Sequence, residues 1–178
     1  MQRFSMLTIC LLAVSTFMAT AAHAQNGHFI SASDVLVTSG THAGDLLVSF
    51  KESGLGNDTT VHYTAAGSGS STYACINGGG NHPAASNKIT IPGPVSASGT
   101  FSSGKNGTIS QTLEVEEVGA GTFSCPGGQS LVLAGVTFSG MTISDDLGNA
   151  EPVPDQQTTF CDINNLTKAT IKNCVTPD

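Results

Sequence analysis

Tryptophan is absent from the 178 residues, and tyrosine occurs only at Tyr63 and Tyr73. Platforms on which sugars or bases stack need more aromatic side chains than that. Basic residues are also scarce, with six Lys and Arg against 13 Asp and Glu. An acidic surface repels phosphate, which sets nucleic acid and anionic lipid aside as partners. No segment before Asp162 carries a sustained 3.6-residue apolar period, so helices are not expected there. Past the first 24 residues no apolar run approaches the roughly 18 residues of a membrane span. There is no internal repeat and no sign of a second domain.

What is present begins with residues 1–24. Met1-Gln2-Arg3 is a short basic start, Met6 to Met18 is mostly apolar, and Thr20-Ala21-Ala22-His23-Ala24 ends in small residues. That layout predicts a secretory signal peptide cut after Ala24. Cys10 and Arg3 leave with it. The remaining 154 residues hold five Lys against 13 acidic residues, a net charge of −8, and four cysteines. The expected location is extracellular, or periplasmic in a Gram-negative bacterium.

Short β-branched and apolar runs recur, separated by Gly, Asn, Pro and Ser. They predict strands over Phe29–Val37, Asp45–Glu52, Thr60–Ala66, Ser71–Ile76, Lys88–Ile91, Val95–Ser102, Thr108–Glu117, Ser130–Phe138 and Met141–Ser144. Many short strands at even spacing predict an all-β fold, an immunoglobulin-like antiparallel β-sandwich over residues 25–150. The Cys…Trp…Cys signature of true immunoglobulin domains is missing, so the expectation concerns architecture alone. Residues 151–178 form a tail that opens on Pro152 and Pro154 and holds Cys161 and Cys174.

One hairpin is predicted in detail. Val95, Ala97, Gly99 and Phe101 share a face, as do Ile109, Leu113 and Val115; all are odd-numbered. Opposed residues in an antiparallel pair share a face, so their numbers sum to an even value. A three-residue Lys105-Asn106-Gly107 loop then sets Phe101 against Gln111, Gly99 against Leu113 and Ala97 against Val115, with Gly107 left-handed. Gln111 becomes a polar residue on the core face, expected near the sheet margin.

Four cysteines allow three pairings. Cys161 and Cys174 bracket a compact tail, while Cys75 and Cys125 stand at strand ends beside Gly-rich loops, which favours Cys75–Cys125 and Cys161–Cys174. A metal role is disfavoured, because there is no CxxC pair and no His at ligand spacing from any Cys.

The stretches FKESGLGN (Phe50 to Asn57), YACINGGGN (Tyr73 to Asn81) and SGTFSSGKNG (Ser98 to Gly107), followed by Phe123-Ser124-Cys125-Pro126, carry a resemblance. Over roughly Asp45 to Asp146 the chain resembles a group of small secreted proteins of unknown function from bacteria and fungi. The resemblance implies Cys75–Cys125 as part of the shared domain. It implies no active site and says nothing of the tail.

Candidate sites are few, and no catalytic, cofactor or metal residue is expected. Glu114 and Glu116 fall on the solvent face of a strand beside Glu117, so the three read as a solvated surface with no apolar pocket to raise a pKa. Asp145, Asp146 and Asn149 around Gly148, and Asp162, Asn164 and Asn165, offer oxygen ligands of the kind calcium takes. Asp/Asn turn chemistry explains both sets. His28, His42, His62 and His82 are scattered. Cleavage after Ala22 would place His23 at the amino terminus, where amine and ring chelate copper as in secreted copper oxygenases; Ala24 fits the cleavage rule better. Asn57, Asn106 and Asn165 begin N-x-Thr acceptors for glycosylation in a eukaryotic source.

These residues lead to a non-catalytic secreted sandwich, monomeric or weakly self-associating, that binds an unknown protein or glycan through loops on a rigid scaffold. Two rivals stand beside it. One is a secreted enzyme, which needs a concave site such as His82 with two carboxylates. The other is a self-associating structural or adhesive component pairing through open sheet edges.

Overall fold

The computed structural model describes residues 26–77, 87–165 and 170–177. The predicted signal peptide, His23 and His82 lie outside them. Eight strands follow in order: β1 (His28–Leu36), β2 (Leu46–Ser53), β3 (Thr60–Ile76), β4 (Lys88–Ser102), β5 (Thr108–Val115), β6 (Ser130–Asp145), β7 (Ala150–Pro152) and β8 (Gln156–Thr159). They make two antiparallel sheets packed face to face, one ordered β1-β2-β5 and the other β4-β3-β6-β7, with β8 also pairing with β6. The core lies between them. Leu46, Val48 and Phe50 of β2 and Leu113 and Val115 of β5 meet Tyr63, Ala65 and Tyr73 of β3 and Val136, Phe138 and Ile143 of β6. Burying each large side chain contributes roughly 1.5–3 kcal/mol.

Three predicted breaks do not occur, and each is bridged for a visible reason. β3 runs unbroken through Gly67-Ser68-Gly69-Ser70 because bare glycines admit close neighbours. A Cβ at Gly67 would strike Met141, and one at Gly69 would stand 2.8 Å from Val95 Cγ1. β4 continues through Pro92-Gly93-Pro94 because it is the outermost strand of its sheet, where a missing N–H is tolerated. β6 passes Gly140 as a β-bulge, with Ala66 opposite Thr142 but Ser68 opposite Ser139 and Gly140 at φ 59°.

The predicted hairpin is corrected. β4 and β5 belong to different sheets, so Phe101 pairs with Val61 and Gly99 with Tyr63, while Gln111 pairs with Phe50 and Leu113 with Val48. The shared parity was real but arose differently: both strands turn their odd-numbered residues to one core. A Cβ on Gly99 would lie 3.1 Å from Leu113 Cδ2 across it. Gln111 is exposed on the outermost strand β5, and Phe101 is partly buried in a ring cluster with Phe50 and Tyr63.

The β4–β5 link is a crossing between sheets. It turns through a 3-10 segment at Gly104–Asn106 with Gly107 at φ 61°. Beside it runs the β2–β3 crossing, and Ser103 joins the two. Its hydroxyl donates to Gly56 O at 2.7 Å and accepts from the Thr59 N–H at 3.0 Å. Its own N–H donates to Thr59 O at 2.9 Å.

Both disulfides pair as expected, Cys75–Cys125 and Cys161–Cys174. The residues after Asn149 extend the larger sheet. β7 pairs with Thr142–Ser144 and β8 with Gly135–Phe138. Between them the Val153 N–H donates to Met141 O, and Asp155 Oδ1 accepts from the Gly140 N–H at 2.8 Å, capping the bulge. Val175 then bridges Leu133. No helix among the described residues is long and apolar enough to cross a membrane.

Candidate functional site

Polar chemistry gathers at three places. The first is a groove of about 870 Å³ where the loop after β1 faces the tail. Thr38, Ser39 and Thr41 form one wall; Thr159 and Phe160 at the end of β8, with Lys172 to Pro177, form the rest. The tail stays there because Cys161 is buried against Ala134 and its partner Cys174 is followed by the Val175–Leu133 bridge. The lining is mainly neutral hydroxyl, with one ring and one cation. Its volume is within the range of ligand-binding clefts.

The second place is the Asp45 end of β2. His42 Nδ1 lies 3.4 Å from Asp45 Oδ2 and 3.2 Å from Glu114 Oε1. The Glu117 N–H donates to Asp45 Oδ1 at 3.2 Å. The Tyr73 hydroxyl donates to Val118 O at 2.8 Å and stands 3.2 Å from Glu117 Oε1. Burial, reinforced by the Glu117 and Glu114 carboxylates, pushes Asp45 up to about 6. Burial and Glu117 likewise push Tyr73 upward. The expected solvated Glu114–Glu117 surface is therefore more than that: Glu114 on β5 and Glu117 beyond its end bring two of the three carboxylates to a buried aspartate. Glu116 remains exposed.

The third place is the far end of β2, where Glu52 is fully buried. The Tyr63 hydroxyl donates to Glu52 Oε2 at 2.6 Å, and Asn149 Nδ2 donates to Oε1 at 3.3 Å and to Asp145 Oδ2 at 2.7 Å. Desolvation raises Glu52 to about 7; the Tyr63 bond opposes that and the nearby Asp145 adds to it. Tyr63 is pushed upward by burial and by Glu52. Since Glu52 is enclosed, no substrate reaches it in this conformation.

The two oxygen-rich turns satisfy themselves. Asp145 Oδ1 accepts from the N–H groups of Leu147 and Asn149, and Asp162 accepts from the Asn164 N–H and from Asn165 Nδ2. Their carboxylates cap turns. His28 is exposed, its Nδ1 3.1 Å from Asn26 O, and His62 Nδ1 meets Thr100 Oγ1 at 3.0 Å. Asn57, Asn106 and Asn165 are all exposed and lie outside the strands.

Glu52 was missed in the sequence although its parity with Val48 and Phe50 placed it on the inner face. The His42–Asp45–Glu114 set had no local signal, since Glu114 is a distant segment. Compared with protein-family models, curated proteins and solved structures, the chain matches none.

Proposed function

We propose that this is a secreted, non-catalytic, immunoglobulin-like sandwich that acts by binding a protein partner. The strand order supports the immunoglobulin-like reading, because β5 crosses over to lie beside β2 and not beside β4. The two disulfides and the acidic, signal-bearing sequence support secretion.

The observation that carries the binding reading is the groove between loop 38–41 and the tail. Its hydroxyls and backbone suit an extended, neutral, polar segment, Phe160 offers one apolar contact, and Lys172 can meet a carboxylate. Its single ring makes it a poor sugar platform. The test is capture of extracellular proteins by the oxidised chain, with a Phe160→Ala/Lys172→Ala double variant alongside. Partner capture by the native chain and loss in the variant is the expected result. Equal capture by both, or binding confined to a glycan array, overturns the reading.

A further inference from the structure

We propose that His42 Nδ1, Asp45 Oδ2 and Glu114 Oε1 form a binding site for a first-row transition dication, zinc being the best fit. The three atoms lie within 4.8 Å of one another and come from two places in the fold: His42 and Asp45 from the β1–β2 connection, and Glu114 from β5. Two donors around a tetrahedral zinc, each near 2.1 Å from it, stand about 3.4 Å apart. The observed spacings from the imidazole are 3.4 Å to Asp45 and 3.2 Å to Glu114. An imidazole beside two carboxylates selects zinc-like cations over calcium, which takes oxygen ligands throughout.

A second observation is independent of the spacing. The Asp45 side chain is 5% exposed, and its Oδ2 points into the cluster. Its Oδ1 is fixed by the Glu117 N–H, which orients the carboxylate as outer-shell bonds orient metal ligands. No Lys among the described residues makes an ion pair with Asp45, Glu114 or Glu117. Two carboxylates therefore meet one imidazole, with no Lys paired to either among the described residues. His42 and Glu114 are half exposed, with side chains 59% and 43% accessible, so a cation can enter and keep a fourth position open to water.

The test is calorimetric titration of zinc chloride into the oxidised full chain, with His42→Ala and Glu114→Gln in parallel. Both side chains are exposed, so both variants should keep the wild-type melting temperature without metal. The expected result is one saturable zinc site, weakened by about tenfold or more in each variant. Calcium should not saturate at concentrations where zinc does. No saturable zinc binding, undiminished binding in both variants, or equal calcium affinity each overturns the site and leaves a histidine–carboxylate ion pair in its place.

Discussion

The two ends of strand β2 each bury a carboxylate and treat it in opposite ways. Glu52 is closed in, bonded to the neutral donors of Tyr63 and Asn149, and ringed by Phe29, Phe50 and Phe101 through Tyr63. Asp45 meets a histidine and further carboxylates, and two of those neighbours reach solvent. The Asp45 end is also the covalent end. Cys75 follows Tyr73 on β3, and the tail anchors at Leu133, which a Cβ on Gly44 would touch. Cross-links and open chemistry sit at one end, while a closed polar knot and the β2–β3 and β4–β5 crossings sit at the other. Where disulfides hold the chain, the side chains nearby are free to leave a charge incompletely answered.

The largest test of this contrast is removal of each cross-link. Cys75–Cys125 spans 50 residues and Cys161–Cys174 spans 13. Loop-closure entropy gives about 4 kcal/mol for the first and about 3 kcal/mol for the second. Urea unfolding of Cys75→Ser/Cys125→Ser should therefore show the larger loss. A reversed order would mean that the tail holds the Asp45 end more firmly than the cross-link between β3 and the loop before β6.

Next in size is Glu52. Its folded pKa lies above its ordinary value of 4.5, at about 7. Its contribution is therefore full below about pH 4.5 and lost as pH rises through about 7, roughly 3 kcal/mol in all. Glu52→Gln keeps the Tyr63 bond and removes the ionisation. Unfolding free energies at pH 5 and pH 8 should differ less in the variant than in the native chain; an unchanged difference places the titration elsewhere.

Tyr63→Phe leaves Glu52 without its strongest donor and should cost about 1–3 kcal/mol, more at pH 8 than at pH 5. Tyr73→Phe, at the open end, should cost less than about 1 kcal/mol, because its acceptors Glu117 and Val118 O belong to partly exposed residues that keep access to water. Equal losses in chemical denaturation would erase the distinction between the ends. The effect expected at the crossing lies between these two. Gly107 at φ 61° would hold its Cβ 3.1 Å from Gly56 N, so Gly107→Val should lower stability by about 1–2 kcal/mol. A melting temperature matching wild type would show that the crossing relaxes freely.

Most strand positions were legible, since alternation marks a half-buried strand directly. The breaks were not: Gly67, Gly69, Pro92, Pro94 and Gly140 are turn formers whose neighbours in space, absent from any local window, let the strands run on. The β4–β5 link shows a subtler limit. Even-sum parity holds both for partners in one ladder and for residues facing each other across a core, so Gly99 and Leu113 satisfy it without sharing a hydrogen bond. Glu52 was legible by parity and passed over by residue type. His42, Asp45 and Glu114 were not legible as a group, because only the packing of β5 beside β2 brings the glutamate to the loop.

The segmented strand beside β6 has a consequence for the company this molecule can keep. An uninterrupted edge invites a stranger's backbone to add itself and, repeated, to grow aggregates. Here that edge is two fragments of three and four residues, separated by Val153-Pro154-Asp155, and the opposite edge carries Pro92 and Pro94. Both margins of the larger sheet thus lack the continuous row of donors that templating needs. Any polymer built by strand addition would have to start from the smaller sheet.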